Sequence, residues 1–211
     1  ILNWYDLNKR SLPWRKNVSP VKKQYFTLVS EFMLQQTQVA TVIPYFNHFI
    51  KNIPNLNSLA KTNDKKLYKL WEGLGYYSRV KNLKRTAQVV KKNFRGKLPD
   101  TFDDLISLPG IGNYTASAIL AIAFNKPFIP LDGNVERVLK RYLLLKKDKE
   151  ITKENLHKKK SILGTSQRSS DYAQALMELG ALVCKPINPN CFKCPISKKC
   201  KSFIKKDFKL T

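Results

Sequence analysis

Apolar side chains recur along this chain at helical spacing almost from end to end. From Ser30 to Phe49 the apolar positions are Phe32, Val39, Val42, Ile43, Phe46 and Phe49, with Pro44 placed to interrupt the run. From Asp64 to Leu74, with Asn63 or Asp64 as N-cap, Leu67, Leu70 and Trp71 share one face. Val80, Leu83, Ala87 and Val90 do the same between Tyr77 and Phe94. A short helix is expected from Thr101 to Ser107, and a small-residue apolar helix suited to close packing from Tyr114 to Phe124. Gly133 to Leu145 and Ser170 to Cys184 complete the set. Alternating strand patterns of useful length and repeats of solenoid period are both absent. The expected class is all-α.

The 211 residues suffice for one large domain or two small ones, and 43% hydrophobic content can form a core. Charge changes the picture more. Thirty-nine Lys and Arg face fifteen Asp and Glu, a formal net charge of +24. A chain this basic suits a polyanion, with DNA, RNA and membrane surfaces all eligible, although a lysine-biased proteome accounts for part of the excess. The segment from Ile1 to Lys16 is amphipathic and charged, without the apolar run of a signal peptide. The best apolar stretch, Thr115 to Phe124, falls well short of the ~20 residues of a membrane helix. A soluble, cytoplasmic protein is expected, with no membrane partner. A first residue of Ile1 reads as a piece of a longer chain.

Two motifs carry chemistry. In Leu108-Pro109-Gly110-Ile111-Gly112-Asn113-Tyr114, two glycines separate an apolar turn from the small-residue helix. Glycine permits a tight turn, and the N–H groups of the following helix start form an anion site; a DNA phosphate is the simplest anion for a basic chain. An ordinary packing hairpin is the alternative. The second motif is C-x6-C-x2-C-x5-C, formed by Cys184, Cys191, Cys194 and Cys200, the only cysteines present. Clustered at one end, they read as a metal site rather than a disulfide framework, with zinc and [4Fe–4S] both open.

The cysteine spacing together with L-P-G-x-G resembles the helix-hairpin-helix glycosylases of the endonuclease III superfamily. Within it, four stretches look most like the MutY-type adenine glycosylases: Leu12 to Arg15, Ser30 to Gln38, Trp71 to Arg79 and Ala175 to Cys184. The chain is a few residues longer than that family between Arg15 and Glu31. The resemblance implies two helical lobes. A six-helix lobe with the hairpin would span residues 19–126, and an iron–sulfur lobe would combine 1–18 with 127–211. It also implies a [4Fe–4S] cluster on the four cysteines, structural because glycosidic hydrolysis moves no electrons. The implied partner is double-stranded DNA with an adenine mispair, bound by a monomer associated with the nucleoid.

Breaking an N-glycosidic bond builds positive charge on the sugar and negative charge on the base, which asks for one acid and one carboxylate. Glu31, in an apolar helix where burial favours a protonated carboxyl, is the acid by resemblance; a surface helix glutamate is the plain alternative. Asp132 is the oxocarbenium stabiliser by resemblance and, before Gly133-Asn134-Val135, also a good N-cap. Asn134 would help orient the site. Tyr114 stands where the nicking members of the superfamily carry a Schiff-base lysine, so base release with little strand cleavage is implied. The base must leave the stack to be reached. Gln36 and Tyr76 would fill or wedge the gap, Gln174 would contact the adenine edge, and Trp14 and Arg15 would lie near the pocket. Leu108, Gly110 and Gly112 would hold a phosphate, and Lys185, Lys193, Lys198, Lys199 and Lys201 would add phosphate contacts around the cysteines. A thymine-mismatch glycosylase, an endonuclease III-type lyase and a non-enzymatic DNA-binding module are the rivals. The family's further domain that reads 8-oxoguanine would lie beyond Cys200, where only eleven residues follow.

Overall fold

Every regular element among the described residues, 1–146 and 153–208 of this computed structural model, is helical, so the chain is all-α as its apolar spacing predicts. The chain divides into two units: Ser11–Phe124, and a second joining Ile1–Arg10 to the residues from Asn125 onward. Helix α1 (Leu2–Asn8) belongs to the second unit. The first holds a 3-10 turn (Pro13–Arg15), α2 (Pro20–Leu34), α3 (Val39–Asn52), α4 (Leu56–Lys61), α5 (Asp64–Trp71), α6 (Ser78–Asn93), α7 (Phe102–Ile106) and α8 (Asn113–Phe124).

Two helices of the first unit are buried almost all round. Residues Thr27 to Met33 of α2 and Thr115 to Ala121 of α8 are each continuously buried. A helix without a polar face belongs at the centre of a bundle. Accordingly α2 packs on α3, α6 and α8. Leu28, Val29, Phe32 and Met33 are fully buried, each contributing roughly 1.5–3 kcal/mol. The amphipathic helices α5 and α6 cover this centre with Leu67, Leu70, Trp71, Val80, Leu83 and Val90. Asn63 caps α5, its side chain accepting from Lys66 N at 2.8 Å.

One sequence expectation is corrected. The break in the run from Ser30 to Phe49 lies at Gln35–Gln38, not at Pro44, which sits inside a continuous α3. Gln36 takes φ 56°, and Thr37 N donates to Leu34 O at 3.2 Å, closing a turn. Pro44 forfeits only one backbone donor, and Val42, Phe46 and Phe49 hold the helix by burial. Helix α2 also starts earlier than its apolar pattern shows, at Pro20, where proline's missing N–H is harmless.

In the second unit, α9 (Gly133–Leu143) packs on α11 (Ser169–Glu178), on a π turn that extends α11 through Leu179–Val183, and on α12 (Lys201–Ile204). Helix α10 spans Lys153–Lys159. Ile129, Leu131, Val135, Leu139, Leu145, Leu156 and Leu176 form the core. Helix α1 lies on α11, fastened by a bidentate ion pair from Arg10 to the fully buried Glu178, at 2.8 and 2.9 Å.

Candidate active site and cysteine cavity

The hairpin is α7, the turn Ser107 to Gly112, and α8. Its two glycines differ. Gly110 has φ +79°, and a Cβ there would lie 2.8 Å from Asn82 Cβ and 2.9 Å from Phe32 Cε1. Only glycine lets the turn close onto α6 and α2. Thr86 Oγ1 fixes it further by donating to Pro109 O at 2.7 Å. A Cβ on Gly112 would meet nothing within 4 Å, and Gly112 is exposed. Its carbonyl accepts from Ala116 N at 2.9 Å, so it is the N-cap of α8 and offers no side chain to the first-turn amides. Leu108 is buried to 2% exposure, so its part is to hold the turn to the core.

Glu31 is 5% exposed, within the buried run of α2, so the surface-glutamate alternative does not hold. Tyr114 is half-buried in the first turn of α8. Trp14, in the 3-10 turn, meets Phe46 edge-on at 5.3 Å between ring centroids, with half-buried Arg15 beside it. Gln36 and Tyr76 are both exposed, and both hold left-handed backbone, φ 56° and 48°. Such conformations are uncommon for residues with a side chain and concentrate at functional sites. Tyr77 is 45% exposed, so neither tyrosine joins the core.

A residue given no role from sequence joins these turns. The buried Arg79 guanidinium donates to Met33 O at 2.8 Å, to Gln35 O, and to Thr37 Oγ1 at 3.0 Å on one side. On the other it donates to Leu74 O and Gly75 O, each at 3.0 Å. Burial holds its pKa below the ordinary arginine value.

In the second unit Asp132 caps α9. Its Oδ1 accepts from Val135 N at 2.7 Å, and its Oδ2 accepts from Asn134 Nδ2 at 3.1 Å. Arg137 continues the chain of bonds, donating to Asn134 Oδ1 at 2.8 Å, to Gly180 O at 2.7 Å and to Cys184 O at 2.7 Å. Gly180 permits this approach, since a Cβ there would lie 2.6 Å from Asn134 Cβ. Gln174, 6% exposed, turns its amide nitrogen back to Ser170 O at 3.0 Å.

Cys184, Cys191, Cys194 and Cys200 all line one cavity, with Val138, Leu179, Val183 and Phe203 among its walls. Burial, with the neighbouring thiols adding repulsion, raises the Cys191 thiol above its ordinary value. Burial is also the main cause at Cys194, pushed up to about 11. Arg141 donates to Cys184 Sγ at 3.5 Å and to Lys185 O at 2.6 Å. Among the described residues, no three His, Cys, Asp or Glu side chains are gathered closely enough to hold a metal ion. Lys185, Lys193, Lys198, Lys199 and Lys201 are all exposed. Among the described residues, no helix is long and apolar enough to cross a membrane.

A family model described as HhH-GPD superfamily base excision DNA repair protein matches residues 29–161. An adenine DNA glycosylase of Buchnera aphidicola subsp. Acyrthosiphon pisum is 44% identical, over 98% of this chain and 59% of that protein. The adenine DNA glycosylase of Homo sapiens is 42% identical, over 96% of this chain and 38% of its own length. The chain thus spans only part of the length of the curated relatives it matches. A solved thermostable thymine-DNA glycosylase is 26% identical with a TM-score of 0.82, covering 97% of this chain and 93% of its own. A non-covalent endonuclease III–DNA complex, 21% identical with a TM-score of 0.74 over the same shares, attests the fold.

Proposed function

The chain belongs to the HhH-GPD superfamily of base excision DNA repair proteins, and we propose that within it this protein hydrolyses the N-glycosidic bond of adenine mispaired with 8-oxoguanine or guanine. One observation carries the reading: relatives about two-fifths identical over nearly the whole chain, from bacteria, animals, yeast and plants, are named adenine DNA glycosylases. The residues fit the chemistry. Glu31, buried in α2, gives a proton to N7 of an extruded adenine as the C1′–N9 bond breaks, then takes one from the water that adds to C1′. The Asp132 carboxylate stabilises the positive sugar, oriented by Asn134 and by its own capping bond. Tyr114 offers no amine, so the abasic product is released without Schiff-base strand cleavage.

The hairpin takes a phosphate on the open side of Gly112, with Gly110 and Leu108 holding the turn to the core. Gln36 and Tyr76 fill the space the base vacates, Trp14 and Arg15 border the pocket, and Gln174 reads the adenine edge. The four cysteines hold a [4Fe–4S] cluster. What supports this is that all four thiols line one cavity with apolar walls. Bound there, the cluster supplies a rigid crosslink of the chain end. We take the protein to act as a monomer on nucleoid DNA.

The test is base release from duplexes carrying adenine opposite 8-oxoguanine, guanine or thymine, and thymine opposite guanine. Adenine loss opposite the first two, with strand breaks only after alkali, is expected. The likeness to a thymine-DNA glycosylase structure makes thymine release the second reading, and that product would displace the first.

A further inference from the structure

The two exposed turns proposed to enter DNA are built around one guanidinium. Arg79 is 6% exposed, and its donors reach the end of α2 and the Gln35–Thr37 turn on one side and Leu74 and Gly75 on the other. Its Cζ lies 5.5 Å from the Trp71 ring centroid and 5.4 Å from that of Tyr76. Trp71 Nε1 also donates to Gly75 O at 3.1 Å. Each turn presents one strained residue, Gln36 at φ 56° and Tyr76 at φ 48°. Backbone strain of this kind persists only where surroundings over-determine it. A side chain that merely capped α2 would need the bonds to Met33 and Gln35 alone. The bonds to Leu74 and Gly75, and the cation–π contact with Tyr76, belong to the other turn.

We propose that Arg79 is a positioning residue for base extrusion: its guanidinium locks the Gln36 turn and the Tyr76 turn into one unit, so both side chains are presented to the duplex together, already in their working backbone conformation. The inference rests on the reading that Gln36 and Tyr76 enter DNA. Lysine cannot substitute, because an ammonium is a compact point charge that cannot span the carbonyls of both turns.

The experiment compares wild type and Arg79→Lys by amide hydrogen exchange and by single-turnover adenine release. Exchange at residues 35–38 and 74–77 is expected to rise together, on the order of tenfold, while the core of α2 and α8 stays protected. Base release is expected to slow by roughly 10- to 100-fold, with DNA affinity much less affected. In a Tyr76→Ala background the same substitution should cost less than about threefold, because Arg79 acts through the turns. Full additivity, unchanged exchange, or loosening of one turn alone would overturn the proposal. Should Arg79→Lys not fold, Thr37→Val removes one clamp bond along with the Thr37 Oγ1–Gln35 O bond of its own turn, so the deciding readout is residues 74–77, which are expected to loosen to a smaller degree and whose unchanged exchange would overturn the proposal. A wild-type protein that releases no base overturns the functional reading and the extrusion role with it. The exchange data then still decide whether Arg79 couples the turns.

Discussion

Asp132 commits both carboxylate oxygens to its own surroundings, one to Val135 N and one to Asn134. Asparagine caps helices as well as aspartate does, so the neutral variant separates structure from chemistry. Asp132→Asn should shift stability by less than about 1 kcal/mol in a thermal melt. Base release should nonetheless fall by about a hundredfold or more, because the charge proposed to stabilise the sugar is gone. A second residue ties stability to pH. Tyr25 is buried and donates to Ile53 O at 2.7 Å, and burial pushes its hydroxyl far above the ordinary value of 10.0. The folded state favours the neutral phenol, so this contribution is complete below about pH 10 and fades as pH rises above it. Tyr25→Phe should therefore flatten the loss of urea stability above that pH. At this scale the sequence exposed residue types better than partners. Glu31 and Asp132 were legible as carboxylates in a resembling motif, but nothing in the letters says which carbonyls the Arg79 guanidinium reaches.

The hairpin shows how one element can hold two glycines for different reasons. Gly110→Ala meets both a left-handed φ and two contacts under 3 Å, and should destabilise the protein by about 2 kcal/mol or more in urea unfolding. Gly112→Ala places a methyl in open space and should cost only its poorer N-cap, less than about 1 kcal/mol, yet weaken DNA binding. Equal loss of stability in both would remove the phosphate reading of Gly112. The L-P-G-x-G letters marked the turn but could not tell these roles apart, since only the packed neighbours Asn82 and Phe32 do so. Helices with a one-sided apolar stripe, α5 and α6, were readable because their period survives in sequence. The start of α2 was not, because its first turn is polar, and the break at Gln35 was not, because no glycine or proline marks it.

For the molecule as a whole, a net charge of +24 predicts binding that weakens linearly with the logarithm of salt. Replacing Lys198 and Lys199 by glutamine should reduce that slope by about one for each phosphate-contacting lysine. The purified protein should be yellow-brown and contain iron, and Cys194→Ser should lose the colour; zinc without iron would contradict the cluster. The all-α architecture followed from the apolar period alone, whereas the cysteine cavity required long-range placement that spacing does not encode. In the reading proposed here, the buried Glu31 drives adenine release. Single-turnover release from a duplex with adenine opposite 8-oxoguanine, measured for wild type and Glu31→Gln alongside DNA affinity, tests it most directly. Wild type should release adenine, and the variant should lose at least about a hundredfold in rate while retaining binding. Equal release by both proteins, or none by wild type despite binding, would contradict it.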